Sequence, residues 1–181
     1  MTSELLDSPR FFDELKIAQR FSFQAEDLLF HRLLGIRMIT IVLDTNIYDK
    51  LEADQAMVEQ INQLIAGKVI DILVPRQVAE ELRQRPAGIP ELFPMTYTGH
   101  AVARAGIMCA GDYLGSGEVF DDHRGDSQKA ADAFIADVAS IIADWFVSED
   151  VRCIRRFPAN MRCTPMRYQQ FHERLTALVR Q

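Results

Sequence analysis

The run Met38-Ile39-Thr40-Ile41-Val42-Leu43-Asp44-Thr45-Asn46 constrains this chain more than any other stretch. Its apolar, largely β-branched side chains predict a strand, and the strand delivers a carboxylate, Asp44, at its carboxyl end. In open α/β sheets that edge is where ligands bind. Three further acids occur in settings that could bring them to the same edge: Glu81 in Val78-Ala79-Glu80-Glu81-Leu82, Asp132 in Ala130-Ala131-Asp132-Ala133-Phe134, and Asp150 in Phe146-Val147-Ser148-Glu149-Asp150.

The rest of the chain alternates in the same way. Residues 47 to 66 read as helix, broken near Ala53-Asp54 and closed by Gly67 as a C-terminal cap. Val69 to Val74 reads as a second strand, and Pro75 stands where a first-turn proline opens a helix. Residues 85 to 125 are the least regular, with Pro86, Gly88, Pro90 and Pro94, then a short helix around His100 to Cys109 and a glycine- and acid-rich loop from Gly111 to Asp126. A long helix is expected from Asp126, its N-cap, to Asp144, then a short strand Trp145 to Ser148 and a last helix from Met166 to Val179. Strands alternating with helices predict an α/β fold, a three-layer α/β/α sandwich around a central parallel sheet.

At 181 residues the chain suits one ordinary domain, residues 38–181, with a core that needs neither disulfides nor structural metal. Residues 1–37 read as a helical N-terminal extension, with Phe11, Phe12, Phe21 and Phe23 too aromatic for a disordered arm; the alternative is that translation begins at Met38. No segment approaches a membrane span and none offers a secretory signal, so a cytoplasmic protein is expected. Cys109, Cys153 and Cys163 lack CxxC or histidine partners and read as reduced structural thiols.

Net charge is −6, unevenly spread. From Val151 onward seven arginines face one acid, Glu173, giving +6, so the first 150 residues carry −12. The basic tail is either a solvated helix face or a phosphate-tracking surface; Arg152, Arg155 and Arg156 are the candidates for RNA contact.

Helical periodicity chooses among neighbouring acids. Behind Pro75, the expected buried stripe is Val78, Ala79 and Leu82, with Glu81 flanking it and Glu80 pointing away. On the long helix the expected stripe is Ala131, Phe134, Ile135, Val138 and Ile142; Asp126, Asp137 and Asp144 fall on the solvated far side, and Asp132 stands alone on the other border beside Ala136 and Ala139. Each acid alone has an ordinary reading: Asp44 or Asp150 as a helix cap, Asp132 as a first-turn acid, Glu81 as a surface acid. Thr45 or Asn46 could serve as the first of those caps equally well. As a set the acids suggest more. Carboxylates at 4 Å repel by about 4 kcal/mol per pair at an effective dielectric near 20. Protonation or a divalent cation would offset this, and hard oxygen donors without histidine favour Mg²⁺ or Mn²⁺. Phosphodiester hydrolysis is the reaction such a site would serve. A phosphoacceptor receiver domain would need a lysine on a late strand, and none follows Lys129.

The ordered set resembles the PIN-domain nucleases: an apolar strand ending in Asp44, Glu81 before a leucine on a helix, Asp132 opening Asp-Ala-x-Ile-Ala, and Ser148-Glu149-Asp150 after a strand. The segment before Met38 and the proline-rich linker between Glu81 and Asp132 depart from the family pattern. The resemblance implies a Mg²⁺- or Mn²⁺-dependent endoribonuclease with Asp44, Glu81, Asp132 and Asp150 as catalytic and metal residues, supported by Asn46 and Ser148. It also implies an RNA substrate and, in the VapC-like toxin branch, an antitoxin protein and a homodimer as partners. The alternative within the same resemblance is a non-cleaving PIN-fold RNA-binding or scaffold protein. His123 and His172 are lesser candidates for a general base.

Overall fold

The computed structural model describes residues 38–101, 113–114, 130–157 and 161–180. The chain divides into two compact units, Met1–Met38 and Ile39–Gln181, and the second holds the fold below. The helical extension expected over residues 1–37, the Asp126 cap, Cys109 and His123 lie outside the described residues.

Strand β1, Ile39–Leu43, is the centre of a five-stranded sheet. Its last three residues, Ile41, Val42 and Leu43, are fully buried although alternate side chains point to opposite faces, so both faces of the strand are covered. Burial of each such side chain contributes about 1.5–3 kcal/mol relative to exposure. Helices α1, Thr45–Glu52, and α2, Gln55–Ala66, follow, and the break falls at Ala53 and Asp54. Asp54 caps α2 by accepting from the Met57 N–H at 3.1 Å.

Strand β2, Ile70–Pro75, runs into helix α3, Arg76–Gln84. Pro75 ends the strand and occupies the N-cap position, one residue earlier than the first-turn position expected for it. Beyond α3 come β3, Thr96–Thr98, and the short pair β4, His100–Ala101, and β5, Tyr113–Leu114. The helix expected to start at His100 is therefore a strand there; the rest of that expected helix lies outside the described residues. Helix α4 spans Ala130–Ile142, then β6, Trp145–Val147, helix α5, Val151–Arg156, strand β7, Thr164–Met166, and helix α6, Tyr168–Val179. Met166, the expected start of the last helix, instead ends a strand.

The main sheet runs β3-β2-β1-β6-β7, every pair parallel. Helices flank it, α2 packing on α6 and α3 on α4. This is the expected α/β architecture with a central parallel sheet. The chain steps from β1 outward to β2 and β3, then crosses back to place β6 on the other side of β1. That reversal makes a crevice beyond the carboxyl ends of β1 and β6, the location at which open α/β sheets bind ligands.

The long helix faces only partly as its periodicity suggests. Ile135 and Val138 of the expected stripe are buried, but Phe134 and Ile142 are half-buried, and Ile135 faces the core together with Ala136 and Ala139, continued by Ala143, while Ile141 is exposed. Asp132 sits one turn ahead of Ile135 and Ala136, in line with the core stripe instead of beside it. Asp137 and Asp144, expected on a solvated face, are both buried. The helix stops at Ile142, and Asp144 turns inward at the amino-terminal edge of the sheet. There Oδ2 accepts from Thr40 N and Thr40 Oγ1, each at 3.0 Å, and Oδ1 accepts from Arg162 Nε at 3.0 Å. The Asp144 main chain also pairs with Thr40 O and Thr164 N, which knits the starts of β1, β6 and β7 together.

Candidate active site

Strand register places the first two site residues. Leu43 is paired with Val147, so the residues that follow, Asp44 and Ser148, emerge side by side at the switch point. The Asp44 N–H donates to Val147 O at 2.9 Å and continues the ladder to the sheet edge. Asp44 is buried, and its carboxylate is held on three sides: Ser148 Oγ donates to Oδ2 at 2.6 Å, Asn46 Nδ2 to Oδ2 at 2.7 Å, and Thr45 N to Oδ1 at 2.8 Å. Burial pushes the Asp44 carboxyl above its ordinary value, opposed by the hydrogen bonds from Ser148, Thr45 and Asn46, while the nearby Asp150 charge adds to the rise.

Asp150 reaches this edge by way of Ser148. Its backbone N–H donates to Ser148 Oγ at 3.0 Å, so a fully buried hydroxyl both receives from the Asp150 main chain and gives to Asp44. The Asp150 carboxylate caps α5, with Oδ1 accepting from Arg152 N at 2.8 Å and Cys153 N at 3.4 Å. The ordinary capping role thus exists for both Asp44 and Asp150, and it coexists with their convergence.

Glu81 enters from α3. Val78, Ala79 and Leu82 are buried, Glu80 is exposed and Glu81 is half-buried, as the helical stripe predicted. Thr45 Oγ1 donates to Glu81 Oε2, which ties the first turn of α1 to the middle of α3. Burial raises the Glu81 carboxyl above its ordinary value; the Thr45 hydrogen bond opposes this, and the charges of Asp44 and Asp132 raise it further. Asp132, half-buried in the first turn of α4, therefore belongs to the same electrostatic neighbourhood. Its carbonyl oxygen lies 3.8 Å from Cys153 Sγ, which brings α4 and α5 together there.

The acids are linked in pairs: Asp44 with Asp150, Asp44 with Glu81, and Glu81 with Asp132. Among the described residues no group of three His, Cys, Asp or Glu side chains stands close enough to form a ready-made metal cage. The donor chemistry fits a hard divalent cation, since every acid offers oxygen and the repulsion between them is what such a cation would relieve. Three of the roughly four acceptor positions of the Asp44 carboxylate are taken by hydrogen bonds, leaving it one position toward a cation.

Sequence reasoning missed Thr45 and Glu149. Thr45 reads from sequence only as a competing cap, yet its hydroxyl is the bridge to Glu81. Glu149 accepts from Arg167 Nη2 at 2.8 Å and from Tyr168 N at 3.2 Å, and its own N–H donates to Asn46 Oδ1 at 3.3 Å. No local pattern marks such a residue, because its partners lie on α1 and around the start of α6.

The arginine-rich tail is not one surface. Arg162 is committed to Asp144, Arg167 to Glu149, and Arg174 stacks 5.5 Å from the Trp145 ring centre. Arg152 and Arg155 are exposed on α5; Arg152 Nε stands 3.7 Å from Asp150 Oδ1. His172 is exposed on α6, on the helix that packs against α2. Cys153 and Cys163 are buried thiols outside any disulfide, and burial pushes the Cys163 thiol up to about 12, which makes it unreactive at neutral pH. A cavity of about 430 Å³ beside Phe93, Met95 and Tyr97 includes none of the four acids. Among the described residues no helix is long and apolar enough to cross a membrane.

Comparison with family models, curated proteins and solved structures gives no match to this chain.

Proposed function

We propose that this chain is a Mg²⁺- or Mn²⁺-dependent endoribonuclease of the PIN type, acting on single-stranded RNA. The observation that carries the reading is the buried Asp44 carboxylate at the β1/β6 switch point, in electrostatic contact with Asp150 and with a Glu81 that also feels Asp132. These acids come from four separate segments of one α/β fold and influence one another in pairs, Asp44 and Asp150 being joined through Ser148 where the topology opens a crevice. Burial of mutually repelling acids costs stability, and active sites are where such arrangements concentrate.

In this reading Asp44, Glu81, Asp132 and Asp150 would hold the cation, which would supply Lewis acidity toward water and the phosphodiester. Ser148 and Asn46 fix the Asp44 carboxylate by donating to Oδ2, and Thr45 fixes Glu81. Arg152 and Arg155, exposed on α5, would attract the RNA backbone. The same family resemblance brings an antitoxin protein and a second copy of the chain as proposed partners.

A second reading is a PIN-fold RNA-binding or scaffold protein that does not cleave. It is favoured by the capping duties of Asp44 and Asp150. One experiment separates the two. Wild type and Asp44→Asn are incubated with structured and unstructured RNA in Mg²⁺, Mn²⁺ or chelator. Cleavage by wild type alone, dependent on the cation and greater on unstructured RNA, is the expected result; equal background from both proteins under all conditions would remove the enzyme.

A further inference from the structure

We propose that Glu149 is a positioning residue for the candidate site: a clasp around its carboxylate holds its backbone N–H against Asn46 and thereby turns the Asn46 amide toward Asp44. The inference rests on the nuclease reading for its consequence in cation binding, and on geometry alone for the clasp itself.

Asn46 can present either end of its amide to Asp44, and the two ends have opposite effects. The NH₂ end donates to a carboxylate, whereas the carbonyl end would oppose two acceptors. Here Nδ2 donates to Asp44 Oδ2 at 2.7 Å and, on the other side, Oδ1 accepts from the Glu149 N–H at 3.3 Å. Asn46, an exposed side chain, is thus held in this orientation from both ends, by the carboxylate and, from outside, by one main-chain donor.

What fixes that donor is the Glu149 side chain. Oε2 accepts from Arg167 Nη2 at 2.8 Å, while Oε1 accepts from Tyr168 N at 3.2 Å and lies 3.6 Å from Lys50 Nζ. Lys50 also lies 5.6 Å from the centre of the Tyr168 ring, whose hydroxyl donates to Asp54 Oδ2 at 3.0 Å. The loop between β6 and α5 is consequently tied to both α1 and the start of α6. Ser148, beside Glu149, donates to Asp44 and receives the Asp150 N–H, so displacement of this loop would be felt at the buried carboxylate by two routes, through Ser148 and through Asn46.

The test uses the full chain, with Glu149→Ala and Arg167→Ala compared with wild type and Arg167→Lys included as the variant that retains the cation. Two measurements are made on each protein: solvent exchange of the Asn46 side-chain NH₂ by NMR without metal, and Mn²⁺ affinity by titration calorimetry. Loss of the clasp is expected to speed Asn46 NH₂ exchange by about fivefold, the ratio an ordinary hydrogen bond is worth. Mn²⁺ binding should weaken about tenfold, typical for partners that orient a metal ligand. Arg167→Lys should restore much of both, which a purely structural defect would not. Unchanged Asn46 exchange in Glu149→Ala and Arg167→Ala would overturn the inference. Should wild type itself bind no Mn²⁺, the nuclease reading fails, while the NMR comparison still decides whether Glu149 orients Asn46. If either alanine variant is unfolded, Glu149→Gln decides by the same exchange measurement: faster Asn46 exchange than in wild type is expected, and exchange equal to wild type overturns the inference.

Discussion

Ser148 Oγ lies 2.6 Å from Asp44 Oδ2, so a hydroxyl at the end of β6 holds the carboxylate at the end of β1. The same oxygen receives the Asp150 N–H at 3.0 Å. Ser148→Ala removes both bonds inside a buried site and leaves a main-chain donor and a carboxylate short of partners, at an expected cost of about 1–3 kcal/mol. Urea unfolding of the variant would show this as a lower midpoint with an unchanged slope. The Asp44 carboxyl should move further upward, because a hydrogen bond that lowers it is removed.

Asp44 and Glu81 both have carboxyls raised in the folded state, chiefly by burial. The folded protein therefore retains protons that the unfolded chain has already released, and stability falls as pH rises from the ordinary carboxylate range through the folded-state values. A bound cation would offset that loss only where the acids are ionised. Thermal unfolding in chelator and in Mn²⁺ should differ most near pH 7.5 and little near pH 4, since the unperturbed carboxylates titrate at about 4. The difference should shrink in Asp44→Asn. A Mn²⁺ effect equal in size at both pH values would contradict the proposed cation site.

The opposite edge of the sheet carries a purely structural acid. Asp144 Oδ2 satisfies the Thr40 N–H and hydroxyl, and Oδ1 pairs with a largely exposed Arg162. Loss of the buried acceptor in Asp144→Ala should cost about 1–3 kcal/mol, with the exposed arginine pair adding at most about 1 kcal/mol. Mn²⁺ affinity should be unaffected, because Asp144 starts the strand that the candidate site ends. Calorimetric titration beside denaturant unfolding would check the two expectations together.

The sequence disclosed the parts of this fold that depend on neighbours along the chain. The β1 run, the break at Ala53-Asp54 and the Val78, Ala79, Leu82 stripe follow from local apolar pattern and capping, and the structure has them. Strands β3 and β7 are illegible in sequence because Thr96–Thr98 and Thr164–Met166 are three residues long and are recruited by pairing with β2 and β6. The faces of α4 mislead for a related reason: a nearly all-buried helix has weak periodicity, and Asp137 gives no sign in sequence that it is buried. Of the candidate site, strand ends announce Asp44, whereas Thr45 and Glu149 act through partners at least eighteen residues away, Tyr168 and Arg167 for Glu149 and Glu81 for Thr45.

The end of α2 offers a stabilising substitution. Gly67 is the C-cap of α2, as the sequence indicates, with a right-handed φ of −76°, and the left-handed residue is the next one, Lys68, at φ 56°. Val69 N donates to Leu64 O and Lys68 N to Ile65 O, each at 2.9 Å, the paired bonds of a Schellman turn. A lysine carries a steric penalty there that glycine avoids, so Lys68→Gly should stabilise by about 0.5–1 kcal/mol. Gly67→Ala should be tolerated, since an added Cβ would meet Gln63 O at 3.4 Å and the backbone is already helical. Thermal midpoints of the two variants would test whether the register of the turn is as described.

Arg152 and Arg155 give the charge split a measurable consequence. Other tail arginines are engaged within the molecule, Arg162 with Asp144 and Arg167 with Glu149, so replacing those would confound binding with stability. Arg152 and Arg155 are exposed, and the Arg152 side chain stands at a long 3.7 Å from Asp150. If they touch RNA phosphates, the double alanine variant should bind single-stranded RNA more weakly and less steeply with salt, the logarithmic slope falling by about 0.7 for each phosphate that is no longer neutralised. Because the Asp150 cap is made to main-chain N–H groups, the fold and Mn²⁺ affinity should persist. Filter binding across a salt series would decide: a slope identical to wild type would show that RNA does not follow α5, and that the basic charge there serves solvation alone.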